Sequence, residues 1–451
     1  MERDIAHLLQ SWLASAKRKP LVLRGARQVG KTWLVRDLAA RSRRQLIEIN
    51  LERTPGLARH FESNEPKQIL SELSLALDCD ITPENSLLFL DEIQAASHLL
   101  AKLRWFAEEM PQLPVVGAGS LLEFTLANHA FSMPVGRIRF LHVEPMGFHE
   151  YLLAHRQNRL LDALSAWRPE DDISDATHEK ATLWFHRYAM VGGMPDAVAE
   201  DVEHGDPRAV QTIQRDLVAT YRADFARYAG RMNSNILDNV IDAVAHSVGR
   251  KFVYAQVGSG VKQHQAKQAL ELLTKARLCH LVRYSAANGL PLSGEAKETF
   301  RKAILLDVGL LHALLGTRGA DAFPAWADLA PQVRGMLAEQ LAGQQLRLVG
   351  DPRGDGPELF YWQREGGRPG EIDYLMELRG RIVPIELKAG AAGSMKSLHQ
   401  FMFEKRLDFA IRIDSNRPSE QTIAVTTTQG DPVKYRLLNI PMYMTWMIGR
   451  A

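Results

Sequence analysis

Apolar and polar positions divide the first half of the chain into segments with different periods. Short apolar runs occur at residues 21–23, in SLLFLDEIQ (residues 86–94) and in LPVVGAGSLLEF (residues 113–124). Runs of this length predict buried strands, and helical spacing follows the first and the third of them. Residues 178–228 repeat apolar positions at helical spacing and predict helices that are broken at Gly-Gly-Met-Pro.

The second half of the chain has another order of elements. Residues 234–313 predict a helix, an extended segment, a long helix from about Val261, a wing-like hairpin and a further helix. This is helix-turn-helix order with a wing. A linker candidate rich in Gly, Ala, Pro and Asp follows at residues 316–332, and then a helix, three strands, a helix and a strand.

The first apolar run continues into GARQVGKT, where a helical pattern begins. A strand, the string GxxxxGK[ST] and a helix form the arrangement of a P-loop, whose glycines let backbone amides turn towards phosphate. We therefore expect ATP binding, with Lys31 at the β- and γ-phosphates and Thr32 on Mg²⁺. The predicted nucleotide-binding residues are Gly25, Ala26, Arg27, Gln28, Val29, Gly30, Lys31, Thr32 and Trp33.

Polar residues follow the next two apolar runs. We expect Asp91 to hold the Mg²⁺ shell and Glu92 to deprotonate the attacking water. Ser120 could contact the γ-phosphate or the water, or could simply cap the next helix. Arg137 and Arg139 precede a short strand, where either could be an arginine finger for a neighbouring subunit or a solvated surface charge.

Near the C-terminus, EIDYLMELRGRIVPIELKAG predicts two strands around a tight turn. Because strand side chains alternate, Glu386 and Lys388 share a face, with Asp373 on the neighbouring strand. Two acids and a lysine in this arrangement can hold a divalent metal at a scissile phosphate and steady the attacking water. Glu339 on the preceding helix would complete the metal shell. The alternative is a salt bridge on an exposed sheet face. Pro384 suggests an edge position or a bulge for the strand that carries Glu386.

The composition indicates the cellular compartment of the protein more than it indicates the function. The 451-residue chain has a net charge of +2, with 46% hydrophobic and 24% charged residues, which is ordinary for a soluble globular protein. No signal peptide and no membrane-spanning apolar run is evident, and Cys79 and Cys279 are too few for a disulfide framework. We therefore expect a cytoplasmic protein with no membrane partner.

Several motifs together carry a more specific resemblance. GARQVGKT, LFLDEIQ, GAGS, the Gly136-Arg137 pair and EPMGFHEYL resemble a large family of bacterial and archaeal AAA+-type ATPases, and GGMPDAV resembles the lid region of that family. The resemblance implies an α/β fold with a parallel sheet, in which the sensor strand lies between the two Walker strands. It also implies a helical lid, a winged helix and a restriction-endonuclease-like domain, to whose PD-(D/E)xK signature the C-terminal acids and lysine correspond. Ser120 departs from the asparagine that is common at the sensor position.

The predicted domains are an ATPase core (residues 1–177), a helical lid (178–230), a winged-helix-like domain (231–318) and a nuclease-like domain (330–451). If the winged helix binds DNA, its recognition helix would present Lys262, His264, Gln265, Lys267 and Gln268. Protein packing is the alternative for this segment.

The sequence as a whole predicts a Mg²⁺-dependent ATPase that couples its nucleotide state to a DNA-binding or nuclease-like C-terminal half. The sequence does not determine the oligomeric state, and it is compatible with a homo-oligomer. One alternative is a signalling or switch ATPase that acts on protein partners and has a non-cutting nuclease-like domain. Another alternative is a nuclease that cuts only when ATP is bound. A small-molecule kinase is disfavoured, because Asp91 and Glu92 supply a ready base for water.

Overall fold

The computed structural model describes residues 1–120, 122, 136–228, 232–316, 325–354, 356–364, 370–388, 390 and 394–450. The chain divides into two compact units. The first comprises Met1–Glu144, Lys275–Arg277 and Asp351–Gly356, and the second comprises Pro145–Thr274, Leu278–Gly350 and Pro357–Ala451. No helix in the described ranges combines the length and the apolar character that crossing a membrane requires.

The first unit is built on a five-stranded sheet with the strand order β2-β3-β4-β1-β5. Its strands are β1 (Leu21–Arg24), β2 (Gln45–Asn50), β3 (Ser86–Asp91), β4 (Val115–Ala118) and β5 (Arg139–His142). Its helices are α1 (Ala6–Ala14), α2 (Lys31–Ser42), α3 (Pro66–Leu77) and α4 (Leu99–Glu109). All strand pairs are parallel, and β4 lies between β1 and β3. The predicted parallel sheet with its central sensor strand is confirmed.

Burial explains why these apolar runs form a parallel sheet. Every residue of β3 is buried, as expected for a strand that is covered on both faces. Leu88 and Leu90 of β3 share a core cluster with Ile47 of β2 and Phe106 of α4. The carboxyl ends of parallel strands lie at one edge of a sheet, so the segments that follow β1, β3 and β4 meet there.

The second unit combines helices with an eight-stranded mixed sheet of order β12-β13-β11-β10-β9-β8-β6-β7. Its helices are α5 (Phe148–Ala154), α6 (Asn158–Ala166), α7 (Asp175–Val191), α8 (Pro195–Glu203), α9 (Pro207–Tyr228), α10 (Ser234–Ser247), α11 (Gln263–Lys275), α12 (Val308–Leu314), α13 (Pro331–Val349) and α14 (Lys396–Lys405). Its strands are β6 (Cys279–Ser285), β7 (Ala296–Leu305), β8 (Leu359–Gln363), β9 (Glu371–Leu378), β10 (Arg381–Leu387), β11 (Phe409–Asp414), β12 (Ser419–Thr426) and β13 (Pro432–Pro441). The predicted C-terminal order of helix, three strands, helix and strand is present as α13, β8, β9, β10, α14 and β11.

The hairpin predicted as a wing belongs to the same sheet as the C-terminal strands. β6 pairs with β7 in antiparallel fashion and with β8 in parallel fashion, which places Arg283 opposite Phe360. Cys279, His280, Val282 and Tyr284 of β6 are buried. β6 therefore lies inside the eight-stranded sheet, between β7 and β8. The division into separate winged-helix-like and nuclease-like domains stays a prediction, and this pairing does not favour it.

An edge position or a bulge was expected for Pro384. Pro384 lies instead in the interior strand β10, whose register with β9 is continuous from Arg381 to Ile385, so both expectations are wrong. It is opposite Leu375 of β9, and pairing of β10 with β11 begins only at Ile385. Proline lacks a backbone N–H and therefore suits a position where one edge of the strand is not hydrogen-bonded to a neighbouring strand.

Candidate functional site

The loop between β1 and α2 has the backbone geometry that close contact with phosphate requires. Gly25 has a φ of +144°, and a Cβ atom there would lie 2.3 Å from the carbonyl oxygen of Val143. Gly30 has a φ of +93° and directly precedes α2, which begins at Lys31. Glycine is therefore required at both positions, and the loop delivers the N-terminus of α2, a natural anion site. Of the other predicted loop residues, Ala26 and Val29 are buried, Arg27 is half-buried, and Gln28 and Trp33 are exposed.

Lys31 extends across this loop. Its ammonium donates hydrogen bonds to the carbonyl oxygens of Gly25 at 3.0 Å and Ala26 at 2.7 Å. Burial lowers the pKa of Lys31 to about 8, although the carboxylates of Glu92 and Asp91 act in the opposite direction. A cation held among the loop carbonyls is in position to pair with the phosphate oxygens of a nucleotide.

Asp91, at the end of β3, meets the helix that follows the loop. Thr32 Oγ1 donates to Asp91 Oδ2 at 3.2 Å, and Asn50 Nδ2 donates to the same oxygen at 3.4 Å. Burial raises the pKa of Asp91, and the neighbouring Glu92 raises it further. A hydroxyl and a carboxylate this close together fit Mg²⁺, which prefers oxygen ligands and completes its shell with phosphate and water.

Glu92 is contacted by residues from two directions. Its backbone is left-handed, with a φ of +51°, which is uncommon for a residue with a side chain. Gln94 Nε2 donates to Glu92 Oε2 at 2.5 Å, and Ser120 Oγ donates to the same oxygen at 3.4 Å. The structure therefore brings Ser120 to the predicted base at the carboxyl edge of the sheet.

Arg137 lies at the opposite edge of this sheet. It precedes β5, whose first residue, Arg139, is opposite Leu21 at the amino end of β1. The P-loop follows the other end of β1. The guanidinium of Arg137 donates to Glu108 Oε1 at 2.7 Å and is 49% exposed. Within one chain Arg137 is therefore not among the residues around the loop, and a role at a nucleotide would need a second chain.

A second group of charged residues surrounds Lys302 of β7, in the second unit. The ammonium is 1% exposed, bonds Glu339 Oε1 of α13 at 2.7 Å and also pairs with Glu371 of β9. Although burial alone would lower it, the neighbouring carboxylates, Glu339 first among them, raise the pKa of Lys302. Burial raises the pKa of Glu339 to about 7 against the opposing effect of Lys302.

The predicted residues of β9 and β10 lie together. Asp373 Oδ2 accepts a hydrogen bond from the backbone N–H of Leu387 at 2.7 Å, and Lys388 Nζ donates to Glu386 Oε1 at 2.7 Å. Burial and the nearby Asp373 raise the pKa of Glu386 to about 7. Burial also raises the pKa of Asp373. In the described part of the chain, no group of three or more His, Cys, Asp or Glu side chains is arranged to hold a metal ion.

Four residues at these sites were not predicted from the sequence. Asn50 and Gln94 contact the acids at the end of β3, and Lys302 is the buried cation beside Glu339. Arg3 donates to the carbonyl oxygens of Val29 at 3.0 Å and Glu144 at 2.7 Å. Gln94 had a local signal, because it lies two residues after Glu92 in LFLDEIQ. Lys302 had none, since its partners are distant in the chain.

Comparison with known families gives three matches along the chain. Residues 17–152 match a family described as an AAA domain. Residues 182–321 match a domain of unknown function, DUF8612, and residues 334–443 match another, DUF4143. The DUF8612 match crosses the predicted boundary between lid and winged helix.

Two curated mycobacterial proteins are similar to part of the chain. It is 28% identical over 174 residues to "Uncharacterized protein Mb2031c" of Mycobacterium bovis and to "Uncharacterized protein Rv2008c" of Mycobacterium tuberculosis. The aligned region is 38% of this chain and 36% of each relative, so the chain spans about a third of their length.

Two solved structures are similar at low sequence identity. The Walker-type ATPase PABY2304 of Pyrococcus abyssi has 16% identity and a TM-score of 0.43, covering 69% of this chain and 95% of that one. The Pif1 helicase from Candida albicans has 16% identity and a TM-score of 0.23, covering 42% of this chain and 48% of that one.

The parallel sheet, the loop before α2 and the AAA domain match define the first unit as a P-loop NTPase core. More particularly, residues 17–152 carry the features of an AAA-type ATPase domain, which supports ATP binding. The winged-helix and restriction-endonuclease-like assignments of the second unit stay predictions.

Proposed function

We propose that this protein is a Mg²⁺-dependent ATPase whose nucleotide state controls a DNA-binding or nuclease-like C-terminal half. The observation that carries the proposal is the 3.2 Å hydrogen bond between Thr32 and Asp91, which joins the P-loop helix to the end of β3. In the proposed mechanism Lys31 pairs with the γ-phosphate oxygens, Thr32 and Asp91 hold Mg²⁺, and Glu92 accepts a proton from the attacking water.

Two further residues have proposed roles in hydrolysis. Ser120 helps to orient Glu92, which is supported by its 3.4 Å contact with Oε2. Arg137 acts as a finger on the nucleotide of a neighbouring chain. Its exposure, together with its place at the edge of the sheet away from the P-loop, supports action between chains rather than within one.

The proposed DNA contact lies on the exposed face of α11 and on Lys262, which directly precedes this helix. Lys262, His264, Lys267 and Gln268 are exposed and Gln265 is half-buried, whereas Ala266, Ala269 and Leu270 are buried. Cations on such a face would meet phosphates, and amides would meet base edges. Cleavage would be the task of Glu339, Asp373, Glu386 and Lys388.

The test uses purified protein with γ-labelled ATP and Mg²⁺, with and without duplex DNA, and scores free phosphate and strand breaks. We expect Lys31→Ala to lose nucleotide affinity, and Glu92→Gln to bind ATP without splitting it. Strand breaks should disappear in Lys388→Ala, while its phosphate release stays at the wild-type level. Phosphate release from Glu92→Gln at the wild-type rate would contradict the assignment of the base.

The second candidate function is a switch ATPase that acts on protein partners. One observation favours it. The positive charge beside Glu339 and Glu371 is supplied by the ammonium of Lys302, the charge that a metal would bring to a cutting site. In this case wild-type protein makes no strand breaks with Mg²⁺ or Mn²⁺, and DNA leaves its rate of phosphate release unchanged.

A further inference from the structure

The amide of Gln94 lies between the predicted base and the loop after β4. Its nitrogen donates to Glu92 Oε2 at 2.5 Å, the shorter of the two side-chain hydrogen bonds to that oxygen. Gln94 belongs to the short 3₁₀ turn Ile93–Ala96, which begins directly after Glu92. The amide nitrogen is thus committed to holding the carboxylate in place.

The amide oxygen of Gln94 faces Gly119. A Cβ atom on Gly119 would lie only 2.1 Å from Gln94 Oε1, whereas the next nearest atom, Gln94 Cδ, would be 3.3 Å away. The φ of Gly119 is outside the left-handed range, so its backbone does not itself require glycine. Gly119 therefore provides the space that the carbonyl of Gln94 occupies.

This amide oxygen is buried and has no hydrogen-bond partner among the described residues. A buried acceptor without a donor destabilises a fold by about 1–3 kcal/mol, so native proteins usually satisfy such atoms. Near it are the proposed base, Glu92, and Ser120 at the carboxyl edge of the sheet. A water molecule beside Glu92 would supply the donor that this oxygen lacks.

We propose that Gln94 is a positioning residue for the attacking water of ATP hydrolysis, an inference that rests on the proposed ATPase function. Its nitrogen fixes the Glu92 carboxylate, and its oxygen accepts a hydrogen bond from the same water that Glu92 deprotonates. The geometry therefore gives one side chain two contacts, one to the base and one to the nucleophile. Gly119 is the residue that leaves room for this arrangement.

The step balances as an ordinary hydrolysis. The water oxygen forms a bond to the γ-phosphorus while the bond from that phosphorus to the bridging oxygen breaks. The electron pair of the broken bond stays on ADP. One water proton passes to the Glu92 carboxylate, and Gln94 exchanges no proton. A misplacement of about 1 Å in such a geometry lowers a rate by roughly 100-fold.

The test is a double-mutant cycle on Gln94 and Gly119. Gln94→Met keeps a similar volume but removes both amide contacts, and Gly119→Ala pushes the amide oxygen aside. We expect each variant to lower single-turnover hydrolysis about 10- to 100-fold. The dissociation constant for ATP should stay within about two-fold of the wild-type value, since neither residue is assigned a contact with phosphate. In the double variant there is no amide oxygen left for the Ala methyl to displace, so its rate should equal that of Gln94→Met.

Gln45→Met is the matched control, because Gln45 is exposed at the amino end of β2. It should hydrolyse ATP at the wild-type rate. The inference is overturned if Gln94→Met or Gly119→Ala keeps the wild-type rate, or if their losses multiply in the double variant. If Gln94→Met does not fold, as judged by its thermal transition, Gly119→Ala alone decides. Failure of the wild-type protein to bind or split ATP would instead reject the proposed function itself.

Discussion

At the scale of single residues, we expect the charge of Lys31 to decide how tightly a triphosphate is held. Burial lowers the pKa of this ammonium to about 8, which is well below the ordinary value for lysine. Without nucleotide, Lys31 therefore loses its proton as the pH rises through about 8. A triphosphate favours the charged form and raises the pKa again. We expect binding of ATP above pH 8 to take up a proton and to weaken as the pH rises.

Isothermal titration calorimetry at pH 7.5, 8.5 and 9.5 checks this expectation, with two buffers of different ionisation enthalpy at each pH. Proton uptake appears as a buffer-dependent binding enthalpy. Lys31→Arg is the control, because a guanidinium stays charged throughout this range. Its affinity should be independent of pH, even if it is lower. An equal dissociation constant for wild-type protein at pH 7.5 and 9.5 would contradict the low pKa.

Some residues of the site could be predicted from the sequence alone, and others could not. Gly25, Lys31 and Asp91 could be predicted because each belongs to a local strand-and-turn pattern with a known spacing. The contacts of Gln94 depend on how the turn after β3 folds back against Gly119. Such a contact produces no periodic pattern in the sequence, although Gln94 itself lies in the LFLDEIQ motif.

At the scale of elements, the sequence predicted most helices and strands and the pairing within hairpins, but not the pairing of β6 with β8. The order from α13 to β11 followed from local periodicity and turn residues. Pairing of β6 with β8 joins strands that are far apart in the chain, and nothing local specifies such a pair. For the same reason Lys302 of β7 was not expected beside the acids of α13 and β9.

Lys302 links β7 to α13 and β9, and its removal should destabilise the second unit. Lys302→Met would leave the buried carboxylate of Glu339 and the partly exposed carboxylate of Glu371 without their cation. Loss of one partner of a buried ion pair costs about 3–5 kcal/mol. We expect a loss of this size in the free energy of unfolding at pH 8, measured by urea denaturation of the full chain with a fluorescence probe.

The loss should become smaller in acid, because the carboxyl of Glu339 binds a proton more readily in the folded than in the unfolded state. Burial raises the pKa of Glu339 to about 7. Between the ordinary glutamate value and about 7, the folded state therefore holds more protons, and the stability contributed by this group falls as the pH rises. At pH 5.5 the carboxyl of Glu339 in the Lys302→Met variant is protonated and needs no cation. Lys434→Met, at an exposed position of β13, should change stability little at either pH. A pH-independent loss in Lys302→Met would argue against this account.

At the scale of the whole molecule, the place of Arg137 separates catalysis within one chain from catalysis between chains. Arg137 lies at the amino edge of the parallel sheet, whereas the P-loop and Asp91 lie at the carboxyl edge. Its ion pair with Glu108 is exposed, and exposed pairs contribute little to stability. Arg104 also bonds Glu108, at 3.1 Å, so that carboxylate keeps a cation if Arg137 leaves it. The pair is therefore no obstacle to a role on another chain.

We expect two inactive variants to restore hydrolysis when they are mixed. Arg137→Ala keeps an intact nucleotide site but offers no finger, and Lys31→Ala keeps the finger but binds ATP poorly. If Arg137 acts on a neighbouring chain, phosphate release in the mixture should exceed the sum of the two separate rates. An arginine finger contributes about 10³- to 10⁵-fold, so even a small fraction of mixed assemblies is detectable. Arg104→Ala is the control, because it removes a nearby cation from the same carboxylate and should leave the rate unchanged. If the mixture is no faster than its parts over a hundredfold range of protein concentration, Arg137 serves only as the partner of Glu108.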